Sequence, residues 1–546
     1  MLPTILISLL LSMTGPQVSE QVTITASEGT VSPENEIDAE TIENYNLTSL
    51  QDTFVFFPAI YLNTRGVNGI QADISFKGSR GNQVGVLLNG IPMNNIQSYH
   101  HNMDLPVAPE DLASFQIVPS GSGVPPFAFS GQVMLETQDN RQERYHASWG
   151  SDYTYRVYAA DNGLSYLVEG SEGYRDNTDY HNTNLTWQGK LRGGVDVFTA
   201  FNVKEFGAED FYAPYPSYEK TQTFLASARW RGITGYAVRH DDTFYLVRSD
   251  PEAFRNDNTT YRTGVFQEFN RGQLFLSYHV AANRLESQNL KAADMEPDDQ
   301  PYIHDDQEAT VRGAWLFQAG QWTLRPGLGL SYSSRNTTEI LPFFSLYRRV
   351  GPVALTMDAS RSVRLPDYTE LYYTSPNNQG NPGLQAEESW NADLTVHWQS
   401  LSASVFYRDE TNLIDWVMRD DLWHAENIGD ASVWGVELNA AYRGFTLGYQ
   451  MISRDNNLDL ETKYTYYAPK NRWVLRYAGR EGTFVYQYLD IPGLGNASIL
   501  DVTFFGSGFY LKVQNALDET YETLPGIPMP GRTYMLGYRF NGPIRW

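Results

Sequence analysis

The sequence of 546 residues carries a formal net charge of −24, contains no cysteine and is 14% aromatic, with 36 Tyr and 12 Trp. The acidic balance disfavours nucleic acid as a partner, because phosphates would be repelled, and the lack of cysteine excludes disulfides, thiolate metal sites and cysteine nucleophiles. Tyr and Trp have an apolar body and a polar tip, so their abundance suits a boundary between water and an apolar phase.

The first predicted element is an export signal, which we assign to residues 1–19. Leu2 to Leu11 are almost wholly apolar, and small polar residues follow as far as Ser19. A run of about ten apolar residues is too short to span a bilayer as a helix but suits the core of a signal peptide; the alternative is a buried N-terminal strand. No later stretch has about 18 consecutive apolar residues, so the sequence predicts no membrane-spanning helix. An exported chain of this kind is periplasmic, secreted or an outer-membrane β-barrel.

The pattern of polar and apolar residues changes near residue 140. Before this point, short apolar segments such as Val84 to Leu88 and Phe115 to Val118 alternate with Pro and Gly breaks. After it, segments of about eight to twelve residues alternate in side-chain character. From Val195 to Lys204, for example, odd-numbered positions share one face and even-numbered positions the other. Successive side chains of a strand point to opposite sides, so each segment predicts a strand between an apolar and a wetter environment.

At about 18 residues per strand and connection, residues 141–546 hold about 22 strands, a size whose lumen is wide enough to need a plug. A soluble propeller is the alternative, but we find no repeat of about 40 to 50 residues. The connections are uneven, since long polar stretches such as 205–220 and 286–308 occur among short links at Gly163 and Gly232. Outer-membrane barrels have short turns at one end and long loops at the other. The pattern therefore favours an all-β membrane protein, an antiparallel transmembrane β-barrel.

Short motifs occur in order along nearly the whole chain. They are residues 20–26 (EQVTITA), 75–94 (SFKGSRGNQVGVLLNGIPMN), 100–106 (HHNMDLP), 119–137, 364–372 (RLPDYTELY), 381–389 (NPGLQAEES), 427–437 and 513–532. Together they resemble the motifs of TonB-dependent outer-membrane receptors of the cobalamin-receptor and small siderophore-receptor type.

The plug signature of that family is similar to residues 75–94. Lys77 replaces the usual Arg and Asn89 the usual Asp, whereas the matching residues are Gly78, Val86, Leu87, Gly90, Pro92 and Asn94. Gly90 and Pro92 predict a tight turn after a buried strand. In the second plug signature, residues 119–137, the usual Arg and Asn are missing, and the matches are Gly131 and Thr137. The family ends its last strand on an aromatic residue, a role that Phe540 or Trp546 would fill.

The resemblance implies a signal peptide (1–19), a TonB-box segment with a linker (20–43), an α+β plug domain in the lumen (44–140) and a barrel of about 22 strands (141–546). It also implies transport energised by TonB and its inner-membrane complex. A β-prone segment can add as a strand to the sheet edge of a partner. The residues similar to the TonB box are Glu20, Gln21, Val22, Thr23, Ile24, Thr25 and Ala26.

The ligand-binding site is expected to face outward, above the plug. The candidates are Asn94, Tyr99, His100, His101, Met103, Phe211, Tyr212, Tyr215 and Tyr218. Tyrosines suit a bulky, planar ligand with polar edges; the alternative is an aromatic belt at the membrane surface. The two histidines could touch a metal chelate or could simply contribute polarity to a loop.

Pairs of acidic residues suggest calcium in the extracellular loops. Carboxylates are hard oxygen ligands that Ca²⁺ accepts, and cobalamin-type members of the family use calcium in this way; the alternative is a set of solvated acidic loops. No cofactor is required. The candidates are Asp176, Asp179, Asp241, Asp242, Asp298 and Asp299.

The sequence contains no P-loop, HExxH or GxSxG motif and no catalytic constellation, which predicts that the chain is not an enzyme. We expect a monomeric outer-membrane receptor that takes up a ferric siderophore or a similar scarce metal chelate. Cobalamin is the alternative cargo, and a passive porin or adhesin is the alternative of another class. Besides TonB, the expected partners are the metal-chelate ligand, outer-membrane lipid and lipopolysaccharide, and the barrel-assembly machinery.

Overall fold

The computed structural model describes residues 35–67, 70–120, 129–139, 142–212, 214–456, 462–463 and 468–541. The predicted export signal, the segment similar to the TonB box and Trp546 lie outside these residues. A search of the described ranges for a helix of sufficient length and apolarity to cross a membrane finds none.

The N-terminal part, called the plug below, covers the described residues between 35 and 139. Its strands and α-helices are β1 (Glu36–Asp38), α1 (Ala39–Asn44), α2 (Leu50–Phe54), β2 (Ile60–Thr64), β3 (Ala72–Phe76), β4 (Val84–Leu88), β5 (Ile91–Pro92), β6 (Leu112–Pro119) and β7 (Gly131–Thr137). Five strands form a sheet in the order β1-β6-β7-β4-β5, and β2 and β3 form a separate hairpin.

The first strand of the plug corrects one predicted boundary. The sequence placed residues 20–43 in a TonB-box segment and linker, but Glu36–Asp38 pairs with β6 and forms an edge of the plug sheet. The side chain of Ile37 is buried in the plug core, and this burial favours the pairing of the strand with β6. Asp38 then caps α1 by accepting a hydrogen bond from the backbone N–H of Thr41 at 2.8 Å, which ends the strand and begins the helix.

The predicted tight turn joins β4 to β5. Asn89 and Gly90 both have positive φ angles, of 52° and 77°, as a two-residue hairpin turn requires. The Asn89 side chain also accepts a hydrogen bond from the backbone N–H of Thr137 at 2.9 Å. Asparagine therefore suits this position for two reasons: it tolerates a positive φ angle, and its side-chain amide bonds to β7.

The barrel consists of 22 antiparallel strands that close when the last strand pairs with the first. Its strands are β8 (Arg144–Gly150), β9 (Tyr155–Asp161), β10 (Leu164–Ser171), β11 (Tyr180–Leu191), β12 (Val195–Glu209), β13 (Pro216–Trp230), β14 (Ile233–Tyr245), β15 (Arg255–Arg271), β16 (Leu274–Ser287), β17 (Tyr302–Trp315) continued by β18 (Phe317–Ala319), β19 (Trp322–Ser333), β20 (Glu339–Val350), β21 (Val353–Arg364), β24 (Glu387–Trp398), β25 (Leu401–Arg419), β26 (Leu422–Tyr442), β27 (Phe445–Asn456), β28 (Asn471–Gly479), β29 (Gly482–Ile491), β30 (Gly495–Gly506), β31 (Phe509–Gln514) and β34 (Thr533–Asn541).

Where the structure describes them, the loops of the barrel contain one α-helix and four further strands. These are α3 (Tyr368–Tyr372), β22 (Thr374–Ser375), β23 (Asn378–Gln379), β32 (Glu522–Leu524) and β33 (Ile527–Pro528). The sequence-based prediction of an antiparallel barrel with about 22 strands and an N-terminal plug is confirmed.

Neighbouring strands show the two faces of the wall. Leu185, Phe201 and Phe224 are paired across β11, β12 and β13, and all three side chains are exposed. The next row, which contains Asn202 and Thr223, is buried against the plug. The predicted alternation from Val195 to Lys204 is thus confirmed: the odd-numbered residues, such as Phe201, face out, and the even-numbered Asn202 and Lys204 face the lumen together with Phe198, which packs on the plug core.

The two ends of the barrel differ in the length of their connections. At one end the turns are tight; Arg231 and Gly232, for example, join β13 to β14 with φ angles of 51° and 82°. At the other end, residues 365–386 separate β21 from β24, and residues 515–532 separate β31 from β34. Short turns belong to the periplasmic end and long loops to the extracellular end.

The plug contacts strands on all sides of the wall and therefore lies in the lumen. Glu110 of the plug accepts two hydrogen bonds of 2.7 Å from Arg156 on β9. Asp52 of the plug accepts one of 2.7 Å from Lys512 on β31. Burial raises the pKa of the Glu110 carboxyl, but the guanidinium of Arg156 outweighs burial and holds that pKa below its usual range.

Glu387 on β24 joins the plug to the wall through hydrogen bonds with four different residues. Its carboxylate is fully buried and accepts hydrogen bonds from Arg80 at 3.1 Å and Gln83 at 3.0 Å, both in the plug. Arg364 on β21 donates to the same carboxylate at 2.6 Å, and so does the backbone N–H of Ile414 at 2.8 Å. One charge therefore joins the plug to three strands of the wall.

Glu387→Gln is expected to weaken the attachment of the plug strongly. The substitution keeps the shape of the side chain but removes the carboxylate that Arg80 and Arg364 share. Each arginine keeps one other carboxylate, Asp415 and Glu370 respectively, so we expect a loss near the lower end of the roughly 3–5 kcal/mol for breaking a buried pair. The measurement is the denaturant concentration at which the plug becomes sensitive to protease in the folded, detergent-solubilised barrel.

Glu388→Gln is the matched control. Glu388 is the next residue on the same strand but faces outward, where it pairs with Arg361 at 2.7 Å and is 38% exposed. Exposed pairs contribute about 0–1 kcal/mol, so this variant should release its plug at nearly the wild-type concentration. Equal behaviour of the two variants would contradict the assignment of Glu387 as an anchor.

Candidate functional site

The extracellular side of the plug ends in a segment that we call the apex loop, residues 93–106. Its contacts lie near the extracellular ends of the strands: the side chain of Gln97 donates to Asp242 on β14 at 2.9 Å. The backbone carbonyl of Gln97 also accepts a hydrogen bond of 3.0 Å from the backbone N–H of Thr369 in α3. A long extracellular loop thus folds inward and contacts the plug directly.

Three predicted ligand-binding residues of the apex loop have different positions. Asn94 turns its amide back to β4, where it donates to the carbonyl of Val84 at 2.8 Å and accepts from the N–H of Val86 at 2.9 Å. Asn94 therefore fixes the loop rather than presenting its amide to a ligand. Met103 packs against the plug core, and Tyr99 is half-buried on the loop.

His100 is buried beside a plug carboxylate. Its Nδ1 lies 2.9 Å from Asp73, which also accepts a hydrogen bond of 2.7 Å from Arg65. Burial lowers the pKa of His100, although Asp73 opposes the shift. The ring contacts Tyr212 of the loop between β12 and β13, with 5.7 Å between ring centroids. The structure thus brings together two residues that the sequence predicted separately.

His101 lies in a buried group of charged side chains between the plug and the wall, which we call the seam cluster. The members are His101 and Asp104 of the apex loop, Lys204 on β12, Glu219 on β13, and His240 and Asp242 on β14. Each of the six is less than one-tenth exposed.

The distances within the seam cluster are short. Nδ1 of His101 lies 3.2 Å from Asp104 and 3.8 Å from Glu219, and its Nε2 lies 3.5 Å from Asp242. Lys204 pairs with the other carboxylate oxygen of Asp104. Burial lowers the pKa of His101, but the carboxylates of Asp242 and Asp104 outweigh burial and hold that pKa well above its usual value.

The aromatic candidates of the loop after β12 do not form one surface. Phe211 is buried in a small apolar cluster, and Tyr212 donates its hydroxyl to Gln71 of the plug at 2.8 Å. Tyr215 is exposed. Tyr218 faces outward, because Glu219 beside it on β13 faces the lumen; it stacks on Tyr245 with 5.6 Å between centroids.

Tyr218 is therefore corrected from a ligand-binding candidate to a residue of the outer face. A ligand above the plug does not reach that face of the barrel. The position agrees with the alternative, an aromatic residue at the membrane surface.

The acidic candidates are scattered, and most have other partners. Asp179 accepts two hydrogen bonds from Arg248, at 2.5 and 2.9 Å. Asp241 accepts from Arg239 and from Thr259, whereas its neighbour Asp242 belongs to the seam cluster. Adjacent strand residues face opposite sides, so Asp241 and Asp242 cannot share one ion.

The remaining three carboxylates are exposed. Asp176 follows β10, and Asp298 and Asp299 lie in a short turn before β17, where Asp299 accepts from the backbone N–H of Glu296 at 2.7 Å. Within the described ranges, the groups of three or more His, Asp or Glu whose ligand atoms lie within 4.8 Å of one another all contain His101. Of the six candidates, Asp242 alone belongs to such a group, and calcium binding stays a prediction.

Sequence reasoning missed the partners of His101. Lys204, Glu219 and His240 lie on three strands and were not singled out, although the alternation contained a signal. Counting in steps of two from lumen-facing Thr223 reaches Glu219 on the same face of β13. The contact between the strands and the apex loop, however, depends on how the plug docks.

A second missed group is aromatic. His304 on β17 stacks on Tyr372 with 4.7 Å between ring centroids, and it also lies beside Tyr368. Both tyrosines belong to α3, the segment that contacts the apex loop. The sequence motif RLPDYTELY marked this segment as similar to the family but did not indicate its contact with the plug.

Comparisons with known proteins agree with this architecture. The family model described as TonB dependent receptor-like, beta-barrel matches residues 119–545, and the TonB-dependent receptor plug domain model matches residues 26–125. A vitamin B12 transporter, BtuB, of Vibrio vulnificus is 20% identical over 449 residues, which cover 73% of this chain and 71% of that protein.

Two solved structures illustrate the similarity of the fold. The FrpB iron transporter of Neisseria meningitidis, F3-3 variant, has a TM-score of 0.71 at 14% identity, covering 92% of this chain and 98% of that one. The siderophore receptor PirA of Acinetobacter baumannii has a TM-score of 0.66 at 12% identity, covering 93% and 98%. With the barrel model matching more than half of its length, the chain belongs to the TonB-dependent receptors, outer-membrane β-barrels with an N-terminal plug.

Proposed function

We propose that this receptor imports a ferric siderophore or a similar scarce metal chelate across the outer membrane, with energy supplied by TonB. The observation that supports this proposal most strongly is the plug in the lumen. It is attached by buried ion pairs such as those of Glu387 and Glu110 with arginines of the wall and the plug. A passive porin needs an open lumen, whereas passage here requires work on the plug.

Structural relatives support a metal chelate as cargo. Similar solved structures include the PirA siderophore receptor and the FrpB iron transporter, as well as a ferric enterobactin receptor, PfeA, of Pseudomonas aeruginosa, with a TM-score of 0.66 at 13% identity over 93% of this chain and 98% of that one. Above the plug, aromatic side chains with polar tips, including Tyr99 and Tyr372, are half-buried. Such side chains suit a planar ligand with polar edges.

Cobalamin is the second candidate, because the curated relative named as a vitamin B12 transporter aligns with 73% of this chain. Fold does not decide between the two cargoes, since one scaffold serves several ligands. A barrel enzyme has less support, because the relatives named above are transporters and receptors.

Titration of the purified full-length protein in detergent separates the cargoes. Ferric siderophores of several chemical classes and cobalamin are titrated with and without Ca²⁺. We expect saturable binding of at least one ferric chelate and none of cobalamin. Tight binding of cobalamin alone would contradict the proposed cargo and favour the alternative, and dependence on Ca²⁺ would support the acidic loop residues as calcium ligands.

Two tyrosine variants test where that ligand sits. Tyr99→Ala removes an aromatic contact from the apex loop and should weaken binding about 2- to 12-fold, corresponding to about 0.5–1.5 kcal/mol for an aromatic contact. Tyr218→Ala removes a tyrosine from the outer face and should leave the affinity unchanged. Weaker binding in Tyr218→Ala with wild-type binding in Tyr99→Ala would contradict the location above the plug.

Energised transport is tested with Ile24→Pro in residues 20–26. Proline removes a backbone N–H that strand addition to TonB would use, so uptake by cells should fall to background while binding of the chelate persists. Ile24→Val keeps the N–H and the β-prone character, and it should transport normally. Wild-type uptake by the proline variant would show that this segment is not the TonB box.

A further inference from the structure

The second imidazole of the seam cluster has a defined tautomer. The Thr223 hydroxyl donates its hydrogen to the backbone carbonyl of Asp104 at 3.1 Å. The hydroxyl oxygen of Thr223 must then accept from Nδ1–H of His240, 2.9 Å away, because a hydroxyl has one hydrogen to donate. In the neutral ring, Nε2 of His240 therefore carries a lone pair.

That lone pair faces the interior of the cluster. Nε2 of His240 is buried, and no group among the described residues makes a hydrogen bond with it. It lies 3.8 Å from Asp104 Oδ2. A lone pair and a carboxylate oxygen repel each other at this distance unless a cation or a hydrogen-bond donor lies between them.

The cluster is rich in acidic groups. The carboxyl groups of Asp104, Glu219 and Asp242 face a single lysine, Lys204, and both imidazoles lie among them. An ion bound through His101 would replace the proton that this imidazole presents to Asp104.

The donor atoms are spaced as ligands of a single ion. His101, Asp104 and His240 each offer an atom within 4.8 Å of the other two. Ligand bonds of about 2.1 Å in a tetrahedron place neighbouring donor atoms about 3.4 Å apart. Asp104 Oδ2 lies 3.2 Å from Nδ1 of His101 and 3.8 Å from Nε2 of His240, on either side of that separation. These three residues are among the fourteen that line a cavity of about 30 Å³, and that volume exceeds the space that one bound atom needs.

We propose that the seam cluster binds one divalent transition-metal ion of the Zn²⁺ type through His101, Asp104 and His240. Imidazole nitrogen with a carboxylate oxygen is a donor set that such ions accept. Two ligands come from the apex loop and one from β14, so the ion ties the plug to the wall. Its three ligands are buried, whereas the tyrosines proposed to contact the cargo, Tyr99 and Tyr372, are half-buried, and the metal site does not depend on which chelate the receptor imports.

The surroundings of the three ligands suit this role. Ligand histidines usually hold their second nitrogen on an acceptor, and Nε2 of His101 lies 3.5 Å from Asp242, while Nδ1–H of His240 bonds to Thr223. Asp242 is held in turn by the side chain of Gln97 at 2.9 Å. Glu219 lies 3.8 Å from Nδ1 of His101 and belongs to the second group of three, with His101 and Asp242.

Equilibrium dialysis of Zn²⁺ against the chelator-treated, detergent-solubilised full chain tests the site. We expect one ion per wild-type chain and a loss of at least tenfold in affinity for His240→Gln. His304→Gln is the matched control, since His304 is a buried barrel histidine whose Nε2 bonds to the carbonyl of Leu290 at 2.6 Å, outside the cluster. This control should bind Zn²⁺ as the wild type does.

Cobalt provides a readout that a folding defect cannot imitate. Co²⁺ bound in the wild-type protein should show the visible d–d absorption of a tetrahedral site with nitrogen ligands, and His240→Gln should lack that band while retaining the gel mobility of a folded barrel. Absence of any bound ion in the wild type would mean that a water molecule alone bridges the cluster and would overturn the proposal. Equal Zn²⁺ binding by the wild type and His240→Gln would overturn it as well.

Discussion

Buried charge between plug and barrel is the constraint on which the rest of the structure depends. Glu387, Glu110 and Asp52 each contact a basic side chain on the other side of this boundary. Breaking a buried pair leaves an uncompensated charge that costs several kcal/mol. The plug can therefore not drift within the lumen, and displacing it breaks many such pairs together. Under the proposed function, this arrangement keeps a wide barrel sealed at rest and makes its opening depend on an external source of energy.

The same boundary explains the alternation along the strands. β12, for example, presents the apolar side chain of Phe201 to the lipid, while its polar neighbour Asn202 faces the plug. The lumen face of a plugged barrel is thus a protein interface rather than a water-filled pore. Such an interface can carry specific sites, and the seam cluster of histidines and carboxylates is one of them.

Much of the fold followed from local sequence pattern. Alternation in steps of two predicted the strands, and Gly90 with Pro92 predicted the tight turn after β4, because both signals depend on neighbouring residues. The edge strand around Ile37 was missed, since a single apolar residue among acidic ones carries little signal.

The candidate site was predicted less completely, for two physical reasons. His101 was singled out, but its partners Glu219 and His240 lie more than 100 positions away in the sequence, and their contact depends on strand register and plug docking. Tyr218 was misplaced for a different reason. A tyrosine in an aromatic-rich segment suits a ligand, but the position of Tyr218 in the alternation of β13 places its side chain on the outer face. The alternation of side chains along a strand can be read from the local sequence. It assigns Tyr218 and lumen-facing Glu219 to opposite faces of β13 without knowledge of how the plug docks.

A reversible tether between plug and wall tests the central claim most directly. The chain has no native cysteine, so a single pair can be introduced at Ser120 of the plug and Ser360 on β21, whose hydroxyl oxygens lie 2.9 Å apart. The hydroxyl contact places the two side chains next to each other, and formation of the disulfide on oxidation is verified by gel mobility before uptake is measured. The account predicts that the oxidised receptor binds its chelate but does not import it, and that reduction restores uptake. Import by the fully oxidised receptor at the reduced rate would contradict a mechanism in which this part of the plug must leave the wall.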